Sequence, residues 1–201
     1  MKFQIGVVAG VVSACTFGAQ AEISSALGLL IAATPIDVPT AEGAGLVDVD
    51  VSSMVHNNIQ GSSWNKVMKL DVGEDLWVTG LSWDLSATTI DPMLLSDVSI
   101  AILNSSGDGV ILTPFSDDEF TGSATSSSGV DLVNLRHSDQ EFQISDGEIY
   151  IEFFLPFNPI PGPEATYALG SMLSLEISSV PAPGALAMGL GALGIAARRR
   201  R

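Results

Sequence analysis

Cysteine is nearly absent from this chain: Cys15 is the only one in 201 residues. It lies in an N-terminal stretch expected to be removed, so the mature protein has no thiol. Disulfides, thiolate metal sites and cysteine nucleophiles are excluded with it. Basic residues are almost as scarce, eight Lys and Arg against 23 Asp and Glu. Lys2 and Arg198 to Arg201 account for five of the eight, so residues 22–179 keep only Lys66, Lys69 and Arg136 beside all 23 acids, a formal charge of 3 − 23 = −20. Such a surface repels phosphate backbones and argues against nucleic-acid binding. There are two histidines, His56 and His137, without the close spacing of a histidine zinc site and without a G-x-S-x-G elbow. Both are expected at exposed loop or strand-end positions. No segment between the ends shows a helical period, and no internal repeat is evident.

What is present begins with the two ends. Met1 to Ala21 has the layout of a secretory signal peptide: Lys2 as the charge, Phe3 to Val12 as the apolar stretch, and Ala19-Gln20-Ala21 as the small-x-small cleavage pattern before Glu22. A second reading of the same stretch takes Val12-Ser13-Ala14-Cys15 as a lipobox, with Cys15 lipidated. The last 22 residues read VPAPGALAMGLGALGIAARRRR. The apolar run 184–197 counts 14 residues, about 21 Å as a helix at 1.5 Å per residue, against roughly 30 Å of hydrocarbon. It is short for a permanent span, and Arg198, Arg199, Arg200 and Arg201 would hold this end in the cytoplasm. A transient anchor fits these properties, and a simple tail anchor is the plainer alternative.

This tripartite tail resembles the PEP-CTERM sorting signal of Gram-negative bacteria. The motif stands here as Val180, Pro181, Ala182 and Pro183, with Ala182 where the family usually has Glu. The resemblance covers 22 of 201 residues. It implies an exosortase-type membrane transpeptidase as partner, an inner-membrane intermediate, and release to the cell surface or an extracellular matrix.

Residues 22–179 are the size of one domain with a real core. Residues 22–45 are poorly patterned, a first strand or a tucked arm. From Leu46 the period is two: Val47, Val49 and Val51 against Asp48 and Asp50. Trp64, Met68, Leu70 and Val72 alternate, interrupted by Lys66. In 76–85, Trp77, Leu81, Trp83 and Leu85 share one parity, with Gly80 as a candidate bulge, so both tryptophans are expected in the core. Val98, Ile100 and Ile102 alternate, a turn follows at 105–109, and Val110 to Leu112 reads as the return strand. Residues 122–129 (GSATSSSG) read as a flexible loop. Short strands follow at 130–135 and 141–144, then a hairpin turn at Asp146-Gly147. The clearest strand places Ile149, Ile151, Phe153 and Leu155 on one face with Tyr150 and Glu152 on the other. Pro156 to Pro163 must be a loop, and the last strand, 169–178, turns Leu173, Leu175 and Ile177 inward. Eight to ten short strands predict an all-β fold, a single β-sandwich of jelly-roll type, flanked by the signal peptide and a short C-terminal membrane helix. The stretch DGEIYIEFF at 146–154 also looks like a late strand of domains that precede this kind of tail.

The chemistry readable from the residues is slight, and no catalytic residue stands out. Asp48 and Asp50 would sit roughly 7 Å apart on one strand face, a spacing a glycosidase pair would use and any acidic sheet face also meets. Asp117, Asp118 and Glu119 offer hard oxygen ligands suited to Ca²⁺, without EF-hand spacing. Trp64, after the loop 61–63, is the ring expected at the surface and the candidate for stacking on a sugar. The functional expectation is an exported, non-catalytic surface or exopolysaccharide-matrix protein. The alternative is a carbohydrate-binding module or weak glycan-processing enzyme on the same sandwich.

Overall fold

The computed structural model describes residues 36–38, 44–129, 132–156 and 164–179. The signal peptide with Ala19 and Ala21, the sorting motif 180–183, the apolar run and Arg198 to Arg201 lie outside the described residues, as does most of the Pro-rich loop.

The described residues form thirteen strands: β1 (Ile36–Val38), β2 (Gly45–Asp50), β3 (Val55–His56), β4 (Lys66–Asp71), β5 (Leu76–Thr89), β6 (Ser99–Asn104), β7 (Gly109–Leu112), β8 (Ser123–Ser127), β9 (Val133–Asn134), β10 (Phe142–Ile144), β11 (Glu148–Phe154), β12 (Ala165–Tyr167) and β13 (Met172–Ser179). Only two short 3-10 turns, Leu95–Asp97 and Leu135–Ser138, interrupt them. The strands make two sheets, antiparallel except where β1 runs parallel to β4. The first has the order β1-β4-β11-β6-β7. The second runs β2-β13-β5-β12-β3, with β8, β9 and β10 along the other edge of β5. Inward residues of both sheets share one core: Val47, Val49, Leu81, Leu85, Leu173 and Leu175 from one side, Met68, Leu70, Ile100, Ile102, Ile149 and Ile151 from the other. The all-β, sandwich-like expectation therefore holds, and these inward positions are the ones the two-residue period selects.

β5 organises the second sheet. Its 14 residues extend about 45 Å at 3.3 Å per residue, longer than any partner. One edge is shared by β13 and β12 and the other by β10, β9 and β8. The serine-rich stretch expected as a loop is therefore strand β8. It pairs Ser123 to Ser127 with Thr88 to Asp84, and Ala124 packs on the core. A free strand edge offers N–H and C=O partners whatever the side chains are.

The register of β5 against β13 shifts between Glu176 and Ile177, where Gly80 and Val78 are the successive partners. Thr79 is the extra residue, and this bulge reverses which side chains point inward. Leu76 and Val78 are buried before it and Leu81, Leu85 and Ala87 after it. Trp83 packs on the core as expected. Trp77 does not share its face and is only half-buried, a correction to the parity reading.

A second correction concerns Asp146-Gly147. The turn is there, yet β10 pairs with β5 in the second sheet while β11 lies between β4 and β6 in the first. The turn is a crossover between sheets and not a hairpin. The 105–109 turn, by contrast, does join the adjacent strands β6 and β7.

Candidate functional site

Trp64 is where the chemistry of the surface is most distinctive. Its side chain is 76% exposed, in the loop that leads from β3 to β4. That loop carries its backbone in a defined shape: Asn57 Nδ2 donates to the Trp64 carbonyl at 2.9 Å, and the Asn65 amide N–H donates to the Ser62 carbonyl at 3.0 Å. The Leu155 N–H donates to the Asn58 carbonyl at 2.9 Å, tying the loop to the end of β11.

Beneath the loop lies Glu152, buried on the outer face of the first sheet. The residues around it on that face, Val67, Ala101, Leu103, Tyr150 and Phe154, form a small apolar cluster of their own. Its Oε1 accepts from the Gly61 N–H at 2.7 Å and from Asn65 Nδ2 at 2.6 Å. Asn65 Nδ2 also donates to the Ile59 carbonyl at 2.7 Å. Burial pushes the Glu152 carboxyl above the ordinary range, against the lowering effect of the two donors. Farther along this face the Glu148 carboxyl is bonded by Lys69 and by the Tyr150 hydroxyl, which together hold it below the usual range.

On the inner side of the same strand, His56 is fully buried. Its ring stands edge-on to Phe153 and Tyr167, with centroids 5.7 Å and 5.2 Å away. His56 Nδ1 lies 3.0 Å from the Phe154 carbonyl. A carbonyl only accepts, so Nδ1 carries the hydrogen and Nε2 is left as a bare acceptor. Desolvation lowers this imidazole to about 4, the Phe154 bond opposing it. The expectation of an exposed His56 is thus overturned. β12 pairs β3 on one side and β5 on the other, which draws the imidazole in among the core rings.

Four buried polar atoms without a hydrogen-bond partner fall in this one region: His56 Nε2, Asn65 Oδ1, Glu152 Oε2 and Tyr167 OH. Each such atom costs about 1–3 kcal/mol, and folded proteins hold few of them. The four atoms are grouped on β3, β11, β12 and the loop 57–65. Of these residues only Glu152 had a sequence signal. It stands between Tyr150 and Phe154 on a face that would otherwise read as apolar, the pattern of a strand buried on both sides.

The remaining candidates stay apart. Asp48 and Asp50 are exposed on β2, accepting from the Ser174 hydroxyl at 2.6 Å and the Ser52 N–H at 2.8 Å. Asp117, Asp118 and Glu119 lie in a turn at the surface. Among the described residues no three His, Cys, Asp or Glu groups converge as a metal site would require, and no helix is long and apolar enough to cross a membrane. His137 is exposed, as expected. No family model matches the chain, and no curated protein resembles it closely enough to count as a relative.

Proposed function

We propose that this chain is an exported, non-catalytic protein of the cell surface or exopolysaccharide matrix of a Gram-negative bacterium. It leaves the cytoplasm on its signal peptide, pauses in the inner membrane on its short C-terminal helix, and is processed there by an exosortase-type transpeptidase. The body between is a jelly-roll-like sandwich. The observation that carries this reading is the two-ended sorting layout, Ala19-Gln20-Ala21 at one end and Val180-Pro181-Ala182-Pro183 with Arg198 to Arg201 at the other. An acidic body whose polar strand faces carry Asp48, Asp50, Ser123 and Ser127 into solvent is in keeping with a hydrated matrix.

The test replaces Pro181 and Pro183. Proline keeps the segment ahead of the helix extended, a form a processing enzyme can grip, and does not drive insertion. The substituted protein should stay at full length in the inner membrane while wild type is shortened and released. Wild type and variant of equal size, both in the inner membrane, would make the tail a permanent anchor.

A second reading, binding of a glycan, is favoured by one observation: Trp64 is exposed on a loop whose backbone is pinned from both sides. A flat ring carried on a backbone that is already fixed loses less freedom when it stacks on a sugar than one on an unfixed loop. Glycan-array binding that disappears in Trp64→Ala would support it, and an array without binders would remove it.

A further inference from the structure

The two oxygens of Glu152 are treated unequally. Oε1 accepts two N–H groups and Oε2 accepts none, although both are buried. Asn65 shows the complementary imbalance. Nδ2 spends both hydrogens, one on Glu152 Oε1 and one on the Ile59 carbonyl, and Oδ1 receives nothing. Rotating the amide by half a turn would not help, because Oδ1 would then face the Ile59 carbonyl, acceptor against acceptor. Two side chains already joined at one pair of atoms thus each present a bare acceptor at the other. A hydrogen placed between the two oxygens would satisfy both.

We propose that Glu152 and Asn65 form an acid–amide pair closed by a single proton on Glu152 Oε2, and that this pair is a proton-operated latch holding the Trp64 loop against the outer face of the first sheet. With the proton in place, Oε2–H donates to Asn65 Oδ1 and every polar atom of the pair is used. Loss of the proton leaves a negative oxygen buried beside an amide oxygen, with no donor for either. The strain is relieved when the loop lifts and water reaches the carboxylate. Gly61 ties the backbone of the loop to the same group, so the loop cannot follow Asn65 independently.

Among the described residues no charged side chain bonds to either member of the pair, and the buried Glu164 lies beyond His56, its N–H donating to the His56 carbonyl at 2.9 Å. Opposite Glu152 in the ladder stand Val67 on β4 and Ala101 on β6. The ionisable groups on this face are Lys69 on β4 and Glu148 and Tyr150 on β11, and Lys69 and Tyr150 both donate to the Glu148 carboxylate. Lys66 at the start of β4 is exposed. His56 approaches from the inner side, bonded to the Phe154 carbonyl. Residues 57–65 carry no ionisable side chain. The upward displacement of the Glu152 carboxyl by burial agrees with the geometry. The latch stands independently of both functional readings, although it would govern how Trp64 is presented.

The full-length chain and its Glu152→Gln variant decide the matter. Glutamine copies the protonated acid: its oxygen accepts from Gly61 and Asn65, and its amide donates to Asn65 Oδ1. In thermal unfolding from about pH 5 to pH 9, the variant should match wild type at the acid end and exceed it by a growing margin as the pH rises. A variant less stable throughout, or a difference independent of pH, overturns the latch. Whether or not the variant folds, the Glu152 carboxyl carbon of wild type should titrate by NMR above glutamate in an unstructured peptide; titration at or below that value overturns it too. Tryptophan emission reads the loop itself. Its pH-dependent change should vanish in Trp64→Phe and in Glu152→Gln, and persistence in Glu152→Gln would uncouple the proton from the loop. A wild-type midpoint raised by Na⁺ or Ca²⁺ at fixed ionic strength, but not in the variant, would replace the proton by a bound cation and overturn the proposal.

Discussion

His56 and Glu152 sit back to back across β11, and burial acts on them in opposite senses. The native imidazole titrates near 4 in place of 6.5. Between those values the unfolded chain takes up a proton that the native protein refuses. The contribution of His56 is therefore complete above about pH 6.5 and is lost as the pH falls towards 4, a difference on the order of 3 kcal/mol at 1.36 kcal/mol per pH unit. Glu152, raised by burial, does the reverse: its contribution is present below the ordinary glutamate value and is lost as the pH rises through its native value. The prediction at this scale concerns His56→Gln. An amide still donates to the Phe154 carbonyl but has no proton to gain, so urea midpoints at pH 7 and pH 4.5 should lie closer together than in wild type. An unchanged spacing would mean that His56 does not set the acid limb. Gly61 belongs to the same scale. Its φ of 78° is a region in which an L side chain is strained, and this backbone turn aims its N–H at Glu152.

At the scale of the strand, the edges and the bulge decide more than composition does. β8 is a ladder of serine and threonine that exists because β5 has an unshared edge there, and the Trp83 indole N–H donating to Ser126 Oγ at 3.0 Å adds a cross-strand tie. At the edge of the first sheet, β7 depends on a missing side chain. A Cβ on Gly109 would stand 2.0 Å from the Ile102 carbonyl oxygen, and that atom is backbone held between β11 and β7. Gly109→Ala must therefore push β7 off β6. We expect a loss of about 1–3 kcal/mol, the usual cost of overpacking, with amide exchange accelerated at Ile111 and unchanged at Ile151, the β11 residue opposite Ile102. Protection that stays equal in both strands would show that the edge can absorb the methyl group.

For the whole molecule the dominant quantity is charge. Twenty-three carboxylates against three basic residues in 22–179, with ion pairs Lys69–Glu148 and Arg136–Glu141 among the described residues, leave most of the surface repelling itself. Added salt shortens the Debye length to about 8 Å at physiological strength and 3 Å at 1 M. The thermal midpoint should rise over that range, by roughly 2–4 °C for each 1 kcal/mol of repulsion relieved in a chain of this size. A flat midpoint would mean that the carboxylates are already too far apart to interact. Calcium chloride compared with sodium chloride at equal ionic strength separates screening from ion binding, for which Asp117 to Glu119 are the exposed candidates.

The alternation of side chains along a strand is a local property, since each residue points opposite to its neighbour. That is why the inward sets of β2, β4, β6, β11 and β13, the β6–β7 turn, the exposure of Trp64 and the all-β class were legible from residue order alone. The acidic surface was legible for the same reason, as a count. The choice of strand partner is not local. β10 and β11 are separated by a tight turn and join different sheets, and Ser123 to Ser127 pair because a distant strand is long enough to receive them. One inserted residue at Thr79 reversed the face of Trp77. The candidate site is the least legible part: alternation gives only the direction of Glu152, and the residues around His56 read as an exposed loop or strand end. Whether an outward glutamate or a lone histidine is buried depends on what chain arrives over it, here a loop from the β3–β4 connection and a strand more than a hundred residues beyond His56. A single strand's sequence fixes the direction of a side chain, whereas only the assembled sheets decide what it meets there.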